Sequence, residues 1–592
     1  QHSEIMIKLM QRGAVTQTGK FVAFGSIPED WRPWKPEEAP VFDIARAAFK
    51  NSTDALRCAT TPYAYSAAAK LPVFREAMGL SSIRRPFPTA ASYLQTDFIG
   101  LSRVAVPQES KDEVLDLKNV IERTARPRAI VEDPLYIETH AERLWQAVRK
   151  CFFTEDVCSP MSTQPAVMDW IKTRSPEFLK KLETCDPYGL TSQSTRSNGF
   201  LKTQTKVKLD PEFAMEENYG QTVLASPPDF NAMFGPFSKL FLRNVRLHTR
   251  KGVILDSGYS DKDVAREWRQ LGILPRFADE NHQADVSRQD TSHTPVTLRV
   301  FTKALVYHGV PEHLAEIYEH HSKSYQYSSM ATQLYKGTAR YNLGSGDPFT
   351  LIRNIFEVMT VFVERFNNQD LAQTNCIIKG DDYLGDKIPR RIPCTVPEIR
   401  ETILKEQFNA PPYHAGRFFV SEDVIPDPLR MMAKIATKPC NTIERYQELQ
   451  ESFYDRYIPL TPKTALEMRN YVTAAYSKFD PDFALTALEL YQSLIDRRHF
   501  SEIFSNFSQK DAGLFVLSRD GGCTKFALSA MCCDRQDVDP NVLKTELSLD
   551  DLRAICARLS IPFYIVQGRK GDFTREGVWA NYTHAWAVVD LI

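Results

Sequence analysis

The sequence predicts an α+β chain of several domains, on three observations. Its 592 residues exceed what one ordinary hydrophobic core accommodates, and two to four domains fit that length. Helix-type and strand-type spacings fall in distinct blocks, with helices and short strands alternating from about residue 200 to about residue 430. Residues 511–592 then change character: the strand-like runs GLFVL, PFYIV and HAWAVVDL surround two helical stretches, which predicts a small α+β module.

Taken in order, residues 1–130 mix short apolar runs with proline-rich links such as WRPWKPEEAP. Helical spacing dominates about 134–185, as in LYIETHAERLWQAVRKCFF, and the polar, Gly/Ser-rich stretch 186–200 reads as a loop or boundary. Amphipathic helices such as PKTALEMRNYVTAAY fill 442–507. There are no repeats, and no apolar run of eighteen or more, so no spanning helix is expected. No signal peptide is visible, and an opening Gln1 points to a piece of a longer product or a trimmed chain. A hydrophobic content of 43% and a charged content of 25% are globular values. A net charge of −1 argues against bulk coating of nucleic acid and leaves room for a basic channel inside a neutral exterior. Eleven scattered cysteines without a CxxC pair argue against a zinc ribbon and for reduced thiols.

The chemistry begins at residues 377–385, IIKGDDYLG. Adjacent aspartates repel, and an apolar, strand-like setting makes them costly unless cations neutralise them. Upstream, QADVSRQDTS (283–292) carries Asp285 and Asp290. If Asp285 ends a strand beside Asp381, the two carboxylates can clamp two divalent cations about 3.5–4 Å apart for in-line displacement at phosphorus. Between them, YNLGSGDPFTLIRNIFEVMTVF (341–362) reads as a flexible Gly344–Ser345–Gly346 turn and a strong helix, with Pro348 in its first turn. Thr350 and Asn354 then share a face and could read a ribose 2′-hydroxyl. Each motif alone is a common turn or cap; the three in this order select a function.

Together they resemble the viral RNA-dependent RNA polymerases, specifically the alphavirus-like supergroup of positive-strand RNA viruses. Asp285 and Asp290 match motif A (Asp-x-x-x-x-Asp); Ser345, Gly346, Thr350 and Asn354 match motif B (Ser-Gly-x-x-x-Thr-x-x-x-Asn); Gly380, Asp381 and Asp382 match motif C (Gly-Asp-Asp). The stretch FLKTQTKVKLD (200–210) is similar to the basic motif F, which implies phosphate contacts for Lys202, Lys206 and Lys208, with Arg243 and Arg246 as looser candidates. Segment 416–435, with Arg417 and Lys434, resembles the hairpin that leads into the thumb. In KEQFNAPPYHAGRF (405–418) the usual motif D lysine has no clear match. His414, whose ordinary pKa near 6.5 suits proton donation, and Lys405 are the two options.

The resemblance implies a right hand of fingers, palm and thumb with an RRM-like antiparallel palm sheet. The expected boundaries are 1–130 of unknown role, 131–284 fingers with motif F, 285–430 palm, 431–507 helical thumb and 508–592 a C-terminal α+β module. It implies genome replication and transcription by two-metal nucleotidyl transfer, with Asp285, Asp381 and Asp382 on Mg²⁺ or Mn²⁺. Asp290 and Asn354 would select ribose, and Ser345, Gly346 and Thr350 would shape the nucleotide pocket. Implied partners are template and product RNA, ribonucleoside triphosphates and other viral replication proteins. The implied location is the host cytoplasm, in replication complexes held at membranes by those partners. Two rivals stand beside this reading. A reverse transcriptase shares the palm but usually lacks Gly-Asp-Asp and the ribose-reading Asn. At the C-terminus, Cys523 at an expected helix start, His584 and Asp590 resemble a papain-like or ovarian-tumour-type cysteine peptidase.

Overall fold

The computed structural model describes residues 113–125, 130–183 (apart from 156, 157 and 159), 196–201, 222–330, 334–431, 443–477 and 481–495, with Arg497 and several short strands outside these stretches. It is a mixed α+β structure.

Its central sheet has five strands: β1 (Val253–Leu255), β2 (His282–Val286), β3 (Cys376–Lys379), β4 (Asp382–Gly385) and β5 (Leu404–Phe408), in the order β1-β3-β4-β2-β5. All neighbours are antiparallel except β1 and β3, which run parallel. Side chains alternate across the strands, and each face has its own core. On one face Leu255, Ala284, Ile378 and Tyr383 join the main core. On the other Ile254, Ile377 and Leu384 join a second core with Trp268, Phe277, Phe419 and Val424. Phe419 and Val424 come from a three-stranded sheet of β6 (Tyr413–His414), β7 (Arg417–Phe419) and β8 (Val424–Pro426).

Four helices surround the main core: α1 (Pro134–Phe152), α2 (Pro228–His248), α3 (Pro295–Tyr307) and α4 (Thr350–Arg365). Helix α1 starts where Asp133 accepts a hydrogen bond from Tyr136 N (2.8 Å) and Pro134 fills the first turn. It buries Ala141, Leu144, Trp145, Val148, Cys151 and Phe152, the three-four spacing of one helical face. Helix α3 begins with a reciprocal cap between Thr294 and Thr297. Helix α4 is buried without interruption from Ile352 to Glu364, so it is the central helix. It starts at Thr350, and Pro348 lies just outside it rather than in its first turn. Trp145, Phe153, Phe241 and Phe301 all contact the ring of Phe356 at centroid distances of 5.6–6.4 Å.

A second five-stranded sheet runs, in order, Leu80–Ile83, Tyr335–Arg340, Ser324–Ser329, Arg196–Leu201 and Thr222–Ala225. Residues 196–200, expected as loop, are therefore strand: the Gly/Ser-rich reading missed that Ser197 and Gly199 pair with Tyr327 and Ser329. Helices α5 (Ile443–Arg456), α6 (Pro462–Ala475) and α7 (Pro481–Ser493) follow. Near the C-terminus, Leu514–Arg519 pairs antiparallel with Gly522–Leu528 and parallel with Phe563–Gln567. Cys523 thus lies in a strand, which corrects the expected helix start. The sequence signal was Asp520-Gly521 between two apolar runs, a hairpin dipeptide. His584 and Asp590 lie outside the described residues.

Phe356→Ala should cost about 3–5 kcal/mol by chemical denaturation, because it empties the point where four aromatic rings meet. A loss under about 1 kcal/mol would contradict this packing.

Candidate active site

Register builds the acidic centre. Asp285 on β2 is directly paired with Asp382 on β4, Asp382 with Lys379 on β3, and Asp285 with Lys405 on β5. Directly paired residues share a face, so one row across four strands reads Lys379, Asp382, Asp285, Lys405. Asp381 belongs to the two-residue loop between β3 and β4. The first loop residue, Gly380, has φ 59°, a position suited to glycine in a II′ hairpin. Val286 N donates to Asp381 O at 3.3 Å, which holds the loop against the end of β2.

One carboxylate oxygen from each of Asp285, Asp381 and Asp382 lies within 4.8 Å of the others. Asp381 is exposed at the rim; Asp285 and Asp382 are half-buried. Enclosure by surrounding protein, then the charges of Asp382 and Asp285, push Asp381 up to about 7. Enclosure and Asp285 push Asp382 up to about 6, against the pull of Arg430, Lys379 and Arg417. A purely carboxylate donor set with raised proton affinity fits hard divalent cations, whose binding would relieve the repulsion.

Beneath the row lies a network that the sequence reading missed. Asp256, just past β1, is fully buried; its Oδ2 accepts from Arg417 Nη2 at 2.5 Å and lies 3.2 Å from Lys379 Nζ. Burial alone would raise Asp256, but Arg417 and Lys379 outweigh it and hold the carboxyl below its usual range. Arg417 Nη2 also lies 3.1 Å from His414 Nδ1, and His414 Nε2 lies 3.2 Å from the carbonyl of Asp382. A neutral imidazole that accepts at Nδ1 and donates at Nε2 satisfies both contacts. Burial, then Arg417, push His414 down to about 3. The imidazole is thus buried against the Asp382 backbone rather than turned toward solvent. Arg417 is likewise buried and ion-paired rather than turned toward solvent. Lys405 is exposed, in register with Asp285.

Of the other predicted residues, Asp290 lies close enough for its charge to act on Asp381. Asp290 sits in a single 3-10 turn, Gln289–Thr291, entered through Arg288 at φ 54°. Its carbonyl accepts from Leu343 N at 2.9 Å, and Gln289 Nε2 donates to Asn354 O at 2.7 Å, so the turn joins the Ser345–Gly346 loop to α4. His293 Nε2 meets Asn354 Oδ1 at 2.9 Å, and His293 Nδ1 lies 3.1 Å from Glu357. Thr350 Oγ1 donates to Gly344 O (2.9 Å) and Asp347 O (2.7 Å), locking the loop to the start of α4. Gly346 bridges Ala225, and a Cβ there would meet Ala225 Cα at 2.6 Å. The glycine serves close backbone approach rather than flexibility.

A family profile described as RNA dependent RNA polymerase matches residues 129–503. The chain belongs to this family. The chain is also similar to two curated relatives named replicase large subunit. That of Potato mop-top virus (isolate Potato/Sweden/Sw) is 24% identical over 381 residues, 61% of this chain and 20% of the relative. That of Turnip vein-clearing virus is 24% identical over 336 residues, 51% of this chain and 19% of the relative. The chain thus spans about a fifth of the length of each.

The basic residues of the chain are placed unevenly. Lys202, Lys208 and Lys434 lie outside the described residues. Lys206 lies in the short strand Lys206–Val207, paired with Ala105–Val106. Arg243 is exposed on α2, while the Arg246 guanidinium stacks 4.4 Å above the Tyr259 ring. No helix among the described residues is long and apolar enough to cross a membrane.

The raised carboxylates carry a stability cost with a definite sign. Asp381 titrates near 7 when folded and near an ordinary aspartate value of about 3.9 when unfolded, so the folded state binds more protons between. Without divalent cations, stability should therefore fall as pH rises from about 4 to about 7. Asp381→Asn should raise unfolding stability by about 1 kcal/mol at about pH 8, a figure discounted for solvent screening of this exposed side chain, and change it little at about pH 4. Denaturant titrations at both pH values check this; equal effects at both would contradict it.

Proposed function

We propose that this chain performs RNA-templated RNA synthesis from ribonucleoside triphosphates at the Asp285–Asp381–Asp382 centre. The observation that carries the reading is the convergence of these three carboxylates within 4.8 Å on one row of the central sheet, in a chain that belongs to the polymerase family.

Asp285 and Asp381 would hold a pair of divalent cations, magnesium or manganese, with Asp382 steadying the site from within the row. When bound, the pair supplies charge neutralisation at the reacting phosphate and lowers the cost of an ionised 3′-hydroxyl and of the leaving pyrophosphate. The protein's own residues do the rest. Asp290 and Asn354 meet the ribose hydroxyls, with His293 fixing the orientation of the Asn354 amide. Ser345 and Gly346 line the nucleotide pocket, and Thr350 holds their loop. Lys202, Lys206 and Lys208 meet the triphosphate or the template backbone, with Arg243 as an outer contact. Watson–Crick pairing with the template chooses the base, so the protein reads backbone more than base edges, and binding should weaken with salt.

Lys405 takes the proton-donating role in place of His414. It is charged, solvent-accessible and opposite Asp285, so it can give a proton to the departing pyrophosphate at the end of the acidic row. In the right-hand arrangement the central sheet is the palm, which takes in β1 and β2 from within segment 131–284; the rest of that segment belongs to the fingers and helices α5–α7 to the thumb. Genome replication and transcription in a host cytoplasmic complex with other viral proteins is the setting that the named relatives suggest.

Primer extension on an RNA template with magnesium tests the centre. Asp381→Ala should drop extension to background while the protein still binds RNA, and deoxynucleotides should replace ribonucleotides poorly. Retained synthesis by Asp381→Ala would place the chemistry elsewhere. Lys405→Ala should lower kcat about 100-fold with little change in KM, and Lys405→Arg should recover part of it; an unchanged kcat would remove the proton role.

A further inference from the structure

Behind Asn354 lies a buried acid that the proposed chemistry leaves unused. Asn354 Oδ1 is 2.9 Å from His293 Nε2. The other ring nitrogen, Nδ1, is 3.1 Å from Glu357 Oε2. Glu357 follows Asn354 by three residues on α4, so both side chains leave the helix on one face, where the imidazole bridges them. Asn354 keeps 9% of its surface exposed, against 1% for His293 and 2% for Glu357, so the amide is the outer end of the chain of contacts.

An amide has two ends of nearly the same shape, one accepting and one donating. Which end faces a ligand depends on what the imidazole behind it carries. The contact of Nδ1 with Oε2 is at ion-pair distance without hydrogen-bond alignment, and neither Glu357 oxygen has another hydrogen-bond partner among the described residues. A buried carboxylate in that condition is costly unless positive charge lies beside it. Arg353, one turn earlier on α4, feels the charge of Glu357, yet its Nη1 and Nη2 reach the Tyr318 hydroxyl and the Tyr341 carbonyl. The imidazole is the group in contact with the carboxylate.

Glu357 therefore favours a proton on Nδ1, and Asn354 Oδ1 calls for a second one on Nε2. With Oδ1 turned inward to an N–H, the amide offers Nδ2, a pure donor, to the outside. Without the carboxylate the ring keeps a single proton, and either end of the amide fits against it.

We propose that Glu357 and His293 are positioning residues that lock the Asn354 amide with Nδ2 outward, so that the site recognises the 2′-substituent of the incoming nucleotide as a hydrogen-bond acceptor. The inference rests on the reading of Asn354 as a ribose contact. Glu357 touches no substrate; it acts through His293, and His293 through the amide.

The test is single-nucleotide extension by the full chain on an RNA primer–template with magnesium, using a ribonucleotide and its 2′-deoxy and 2′-fluoro analogues. Glu357→Gln should lower kcat/KM for the ribonucleotide about 10-fold and for the deoxynucleotide much less, so that discrimination falls. Asn354→Ala should lower discrimination at least as far, and Glu357→Gln added to it should lower it no further. His293→Gln, whose amide N–H still suits Oδ1, should keep more discrimination than His293→Leu. A Glu357→Gln variant that loses both substrates alike, or whose loss adds to that of Asn354→Ala, overturns the proposal. Should the variants fail to fold, the wild type decides: the 2′-fluoro nucleotide accepts but cannot donate, so it must be used better than the deoxynucleotide, and parity overturns the proposal. A wild type that extends no primer would sink the polymerase reading instead. Equilibrium binding with calcium then still decides the present inference: the ribo and 2′-fluoro forms must bind tighter than the deoxy form, and equal binding of all three overturns it.

Discussion

Like charges forced together by strand register are the constraint on which the rest depends. Antiparallel pairing of β2 with β4 puts Asp285 opposite Asp382, and the two-residue loop before β4 adds Asp381. The sheet cannot relieve that repulsion by slipping. A one-residue shift would turn Ile377 and Leu384 out of one core, and Ala284 and Tyr383 out of the other. Two apolar cores therefore hold an electrostatically unfavourable row in place, and the site stores affinity for cations as a cost carried by the fold.

The same logic explains the layer beneath. Asp256 and Arg417 form a buried pair that water could not replace, and such pairs gain specificity of position more than net stability. Through His414 the pair reaches the carbonyl of Asp382, so the β6–β8 sheet braces the backbone of the Asp381–Asp382 turn. The distinction between a histidine that donates protons and one that orients a carbonyl rests on burial, which no local sequence pattern reveals.

How much could be read beforehand follows from the range of each interaction. Helix α1 was legible because its cap, its proline and its apolar spacing all lie within twenty or so residues. The order Asp285, Ser345–Gly346, Asp381–Asp382 could be picked out only as a set resembling a known family, because each motif alone is a common turn or cap. The Asp256–Arg417 pair was not, since its members stand 161 residues apart and each looks like an ordinary polar residue. Cys523 was misread because glycine before an apolar run suits a helix start and a hairpin alike, and Asp520-Gly521 between two apolar runs favours the hairpin.

The contact of Gly346 with Ala225 has an evolutionary corollary. Position 225 ends the edge strand of the second sheet, and position 346 lies in the loop ahead of α4. With no room for even a methyl group between them, the two positions share a single steric allowance. The atoms in the way are backbone atoms of residues 224–226, which every residue type carries, so only a retreat of the edge strand itself would make room for a side chain at 346.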